Sequence, residues 1–149
     1  MKSILVLLMS LLLAGSVTAQ EEQYFMSKSV SGDIESVTKQ IKTVIKDYQF
    51  GVVTEINMHK SFKDKLDVDI QPYRILGICN VKYAHQLYSL DDNIGVLLPC
   101  KVLLKQIRDS KVEVVFVDPL KVIGLTNNED VMKIGKEVKS VFQEVIKKL

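Results

Sequence analysis

The sequence predicts one α+β domain: a mixed or antiparallel sheet of about five strands, with two main helices packed on one face and a short third helix. Three observations lead there. Residues 34–48 and 131–149 carry apolar side chains at spacings of three and four, the stripe of an amphipathic helix. Several short stretches alternate with period two, as strands with one packed face do. Strand and helix signals do not alternate steadily along the chain, which separates the pattern from a parallel βαβ fold.

Residues 1–19 read as a cleavable secretory signal peptide. Lys2 supplies the positive start, residues 4–14 are apolar apart from Ser10, and Val17, Thr18 and Ala19 form a cleavage site that would leave Gln20 as the new N-terminus. The apolar run is shorter than the roughly 20 residues a membrane-crossing helix needs, and Ser16 stands where a lipid-bearing cysteine would be. The expectation is export to a periplasmic or secreted location, with no stable membrane insertion after cleavage. Removing 19 residues from 149 leaves 130, the size of a single domain spanning 20–149.

The elements follow in order. Residues 24–30 alternate loosely as an opening strand, and Ser31-Gly32-Asp33 interrupts them. Asp33 can cap the helix carrying Ile34, Val37, Ile41, Val44, Ile45 and Tyr48. Val52, Thr54, Ile56 and Met58 alternate as a strand with one packed face. Residues 59–70 are charged and weakly patterned, a short helix or irregular connector around Phe62 and Leu66 that Pro72 ends. Residues 73–78 form a strand and 81–90 a short helix, with Ala84, Leu87 and Tyr88 on its packed side. After the turn at Asp91-Asp92-Asn93, residues 94–98 begin an apolar strand that Pro99 bends before 102–107 continue it. A hairpin at 108–111 leads into 112–117, with Val112, Val114 and Phe116 on the buried side. Asp118-Pro119 reads as a strand terminator opening a turn. Thr126 and Glu129 match a capping box ahead of the last helix, whose charges complement its dipole.

Charge excludes one function class. Without Lys2 and the rest of the leader, 19 basic face 18 acidic residues, and the lysines are interleaved with acids instead of clustered, so no nucleic-acid-binding surface is indicated. Phosphate loops, dinucleotide fingerprints, zinc-protease and nucleophile-elbow motifs are all missing. Asp64, Asp67 and Asp69 lack the glycine and terminal glutamate of a calcium loop.

Cys79 and Cys100 are the two cysteines, and export would place them where disulfides persist. A bond between them would close a loop of about twenty residues, worth roughly 3 kcal/mol in the chain-entropy picture. Three other readings stay open. The thiolates, with His59 as a third ligand, suit a soft metal or haem, although no compact ligand pair is present. Cys79, immediately before a helix start, could be a nucleophile activated by the helix dipole. Both could be small buried hydrophobes.

The segments Gly77-Ile78-Cys79-Asn80, Ile94-Gly95-Val96-Leu97-Leu98-Pro99-Cys100 and Val115-Phe116-Val117-Asp118-Pro119 resemble the domain of unknown function 302 family across roughly residues 24–120. The resemblance implies a compact α+β fold that can dimerise, and it places His59 at a histidine position that recurs in the family. Val81 stands where proline usually follows the asparagine, and Gln49 where glycine is common. The family has no agreed activity. The leading expectation is therefore an exported binding or accessory domain that holds a small molecule or soft metal near His59, Cys79, Asn80 and Cys100, with no turnover of its own. A thiol or sulfur-handling enzyme using Cys79 or Cys100, and a structural homodimer of the cell envelope, are the alternatives.

Overall fold

The two amphipathic stretches cover one face of a five-stranded sheet in the computed structural model, which describes residues 23–149. The expected signal peptide lies outside the described residues. Strand order is β1-β5-β4-β3-β2, and every neighbouring pair is antiparallel.

β1 (Phe25–Ser31) leads into α1 (Ile34–Val44), where the Asp33 carboxylate accepts the Ser36 amide at 2.7 Å. A 3-10 turn (Ile45–Tyr48) extends α1 to the expected end and closes on Gln49, whose backbone is left-handed at φ 60°. β2 (Gly51–Asn57) is an edge strand with a bulge between Val52 and Thr54. Its expected packed face forms only at Val52, which packs on the main core; Thr54 and Ile56 are exposed, because the strand lies at the sheet margin and the bulge after Val52 breaks the alternation. Met58 leaves the strand to start α2 (Met58–Leu66).

β3 (Tyr73–Cys79) and α3 (Val81–Leu90) follow the expected bounds closely, but Tyr88 is exposed and Leu87 is the buried anchor of α3. The expected strand at 94–98 is instead a 3-10 turn (Asp92–Leu97). The Asp91 carboxylate accepts the Asn93 amide and starts the turn, and the three-residue repeat sets Ile94 and Leu97 on one side, against Leu87, Ile123 and Val131. β4 (Cys100–Arg108) and β5 (Lys111–Val117) form the expected hairpin, with Val112, Val114 and Phe116 fully buried.

Asp118-Pro119 starts more than a turn. Asp118 caps α4 (Pro119–Ile123), with proline in its first turn. α5 (Glu129–Lys148) is capped by Asn128, whose side chain accepts the Asp130 and Val131 amides, so the Thr126–Glu129 capping box does not form. The Thr126 hydroxyl donates to Ile123 O and closes the end of α4 instead.

Two hydrophobic clusters result. The larger packs α1 and α5 on Leu76, Ile78, Val102, Leu104, Val114 and Phe116. The smaller joins α3, the 3-10 turn, α4 and α5 through Leu87, Ile94, Ile123 and Val131. No helix among the described residues is long and apolar enough to cross a membrane.

A candidate ligand cavity beside Cys100

The two clusters do not close completely on each other. Between them lies a cavity of about 200 Å³. Leu87, Ile134 and Val138 form one wall, Pro119, Val122 and Ile123 of α4 and its start form another, and the 96–101 segment closes the third. Gly135 lets α4 and α5 approach here, since a Cβ at that position would overlap the Ile123 side chain. Beside the cavity the chain crosses from the 3-10 turn into β4 at Pro99, packed on Gly77, where a Cβ would collide with the proline ring and with the Thr54 hydroxyl.

Of the four residues singled out from sequence, Cys100 lines this cavity, and His59, Cys79 and Asn80 do not. Cys100 lies opposite Ile78 across the β3–β4 pair, so both point to the helix-covered face, whereas Cys79 pairs with Gly51 and points the other way. The expected Cys79–Cys100 disulfide is accordingly not formed, and both cysteines are free thiols. Burial, with a smaller effect of the Cys79 charge, pushes the Cys100 thiol up to about 11. Burial also raises Cys79, the reverse of the activation expected from a helix start.

Asn80 is buried and fully engaged. Its side-chain oxygen accepts the Lys82 and Tyr83 amides, and its Nδ2 donates to Tyr48 O at 3.2 Å, so it caps α3 and ties it to the end of the α1 segment. His59 lies at the other end of β3, where its Nδ1 accepts the Tyr73 amide at 3.2 Å and pins α2 to the strand. Tyr73 and Cys79 are the two ends of β3, six residue steps apart, roughly 20 Å at the strand rise. His59 and the two cysteines therefore do not converge on one ion, and no group of three His, Cys, Asp or Glu side chains among the described residues is arranged to hold a metal.

Sequence reading missed two polar constellations. Buried Arg74 pairs with both oxygens of Glu35 and also reaches Asn57 Oδ1 at 2.7 Å and Thr38 Oγ1 at 3.0 Å. Its even position in β3, otherwise a core register, was the available signal. Buried Asp118 accepts the Leu120 amide with one oxygen and Lys139 Nζ, at 2.6 Å, with the other. That pair spans 21 residues and left no local trace in the pattern.

The fold and cavity together define a small antiparallel α+β domain with an aliphatic pocket. The chain belongs to the family described as "Domain of unknown function DUF302", which matches residues 26–149. The match extends beyond residue 120, the expected limit, and takes in α4 and α5, which build two of the cavity walls. A solved structure titled "Crystal structure of uncharacterized conserved protein DUF302 from Bacillus stearothermophilus" has a similar fold, with a TM-score of 0.78 at 19% identity over 85% of this chain and 98% of that one. No curated protein matches the sequence.

Proposed function

We propose that the protein is an exported binding domain that holds one small apolar ligand in the Cys100 cavity without turning it over. The observation that carries this reading is the cavity's lining: aliphatic side chains throughout, with Cys100 and Lys101 as the two polar ones. A dry cavity of about 150 Å³ suffices for a benzene-sized guest, so the space here, about 200 Å³, is large enough for a small apolar ligand. Raised thiols favour holding over thiol chemistry, since a thiolate is the reactive form. Export rests on the leader at residues 1–19. The test is calorimetric titration of the mature chain with 1-octanol. One molecule should bind per chain, and Val122→Phe, shown folded by circular dichroism, should weaken binding at least tenfold. Absence of binding to the unmodified chain would contradict the reading.

A second observation favours self-association. Alternation sets Phe25, Ile75, Leu103, Val115 and Val117 on the sheet face opposite the main core, where each is only partly buried. Lys105 and Glu113 lie on the same face, 2.7 Å apart, so a second copy related by a two-fold axis can set unlike charges against each other. Sedimentation should give a dimer that Leu103→Glu dissociates. A monomer at every concentration would contradict the dimer and leave the cavity reading standing.

A further inference from the structure

We infer that the ligand is a medium-chain carboxylate, its alkyl chain in the cavity and its head group at Lys101; this rests on the reading of the cavity as a ligand site. Size sets the chain. The cavity, at about 200 Å³, is somewhat larger than the benzene-holding cavity of about 150 Å³, which corresponds to a chain of about six to eight carbons. Chemistry excludes most other small molecules. Sugars, nucleosides and amino acids would bury several hydrogen-bonding groups with almost nothing to meet them, at a cost for each unpaired group.

The head group follows from what stands where the cavity opens. Val96 is 87% exposed and Lys101 is exposed, so the lining reaches solvent along this segment. Lys101 Nζ donates to Pro99 O at 2.7 Å and is in no ion pair among the described residues. Lys101 and Val117 also line a shallow depression on the opposite sheet face, where the other cation, Lys105, is already neutralised by Glu113. Lys101 thus borders both the cavity and that depression, and its one uncompensated ammonium matches one anionic head on an alkyl chain. A carboxylate fits better than a phosphate monoester, whose greater charge and three free oxygens call for several donors.

Octanoate, 1-octanol and octyl phosphate titrated against the mature chain and Lys101→Gln separate the claims. Lys101 is exposed, so the substitution leaves the fold intact, and circular dichroism verifies it. Octanoate should bind the unmodified chain about tenfold more tightly than Lys101→Gln, whereas 1-octanol should bind both equally. Equal octanoate affinities would overturn the head-group assignment and leave the cavity reading standing. Tighter binding of octyl phosphate than of octanoate would overturn the choice of carboxylate. Failure of every compound to bind would overturn both this inference and the reading beneath it.

Discussion

Cys100 faces Ile78 across two antiparallel strands, one residue out of step with Cys79. That single step of register separates the thiols, because consecutive strand residues point to opposite faces. The protein purified without reductant should therefore titrate with two free thiols per chain. Its mass should be unchanged by dithiothreitol; a gain of two hydrogens would show a bond that this register does not allow.

Burial of Cys100 also makes stability depend on alkaline pH. Its folded value is raised, to about 11 against an ordinary 9.0, so the unfolded chain ionises first as pH rises. The contribution is complete below about pH 9 and is lost between there and 11, amounting to about 2–3 kcal/mol at the upper end. Urea unfolding across that range should show the decline, and Cys100→Ala should flatten it.

Gln49 occupies a left-handed conformation, φ 60° and ψ 23°, at the end of the α1 segment. An L-residue with a Cβ is strained there and glycine is not. Gln49→Gly should raise stability by about 0.5–1 kcal/mol, visible as a melting temperature higher by a few degrees. Unchanged or lower melting would contradict the strain.

Val81 is exposed and opens α3, while Asn80 before it is extended at φ −107° and ψ 115°. That is the backbone a residue preceding proline prefers, and the first helical position needs no amide donor. Val81→Pro should be neutral to stabilising, by up to about 1 kcal/mol. A loss of more than that would mean the Val81 amide makes a bond the helix start does not require.

Arg74 is buried, and its partners come from two other elements, Glu35 and Thr38 from α1 and Asn57 from β2, with Glu55 of β2 also 3.3 Å from its Nε. Arg74→Met should cost about 2–3 kcal/mol, since Asn57 and Thr38 lose their donor while the largely exposed Glu35 regains water. The Arg74 hydrogen bond holds the Glu35 carboxyl below its ordinary value. With that sign, its pairing stabilises the fold above the ordinary carboxylate range and the contribution fades as pH falls through the lowered value. Acid unfolding of Glu35→Gln should be correspondingly less steep.

Long periodic segments were legible in the sequence because their pattern repeats enough times to override local ambiguity: α1 with its Asp33 cap, α3, α5 and the β4–β5 hairpin. Short apolar runs were not. Residues 94–98 fit a strand and a 3-10 turn equally well, and the Asp91 cap decided between them. β2 shows alternation with core packing only at Val52, because alternation alone does not say whether a strand is central or marginal. The site was half legible. Cys100 stood out by type and compartment, but its surroundings come from α4 and α5, whose approach depends on Gly135 meeting Ile123 across a tertiary contact. Asn80 stood out as well, for a reason that proved architectural: it caps one helix and holds the end of another.

The most direct test is a methyl-resolved NMR titration of the mature chain with 1-octanol. Saturable shifts at the methyls of Leu87, Val117, Ile123, Ile134 and Val138, with Leu66 and Val68 on the far connector unmoved, would place the ligand in the Cys100 cavity. No saturable shift at those five residues up to the solubility of octanol would contradict the assignment of this cavity as a binding site.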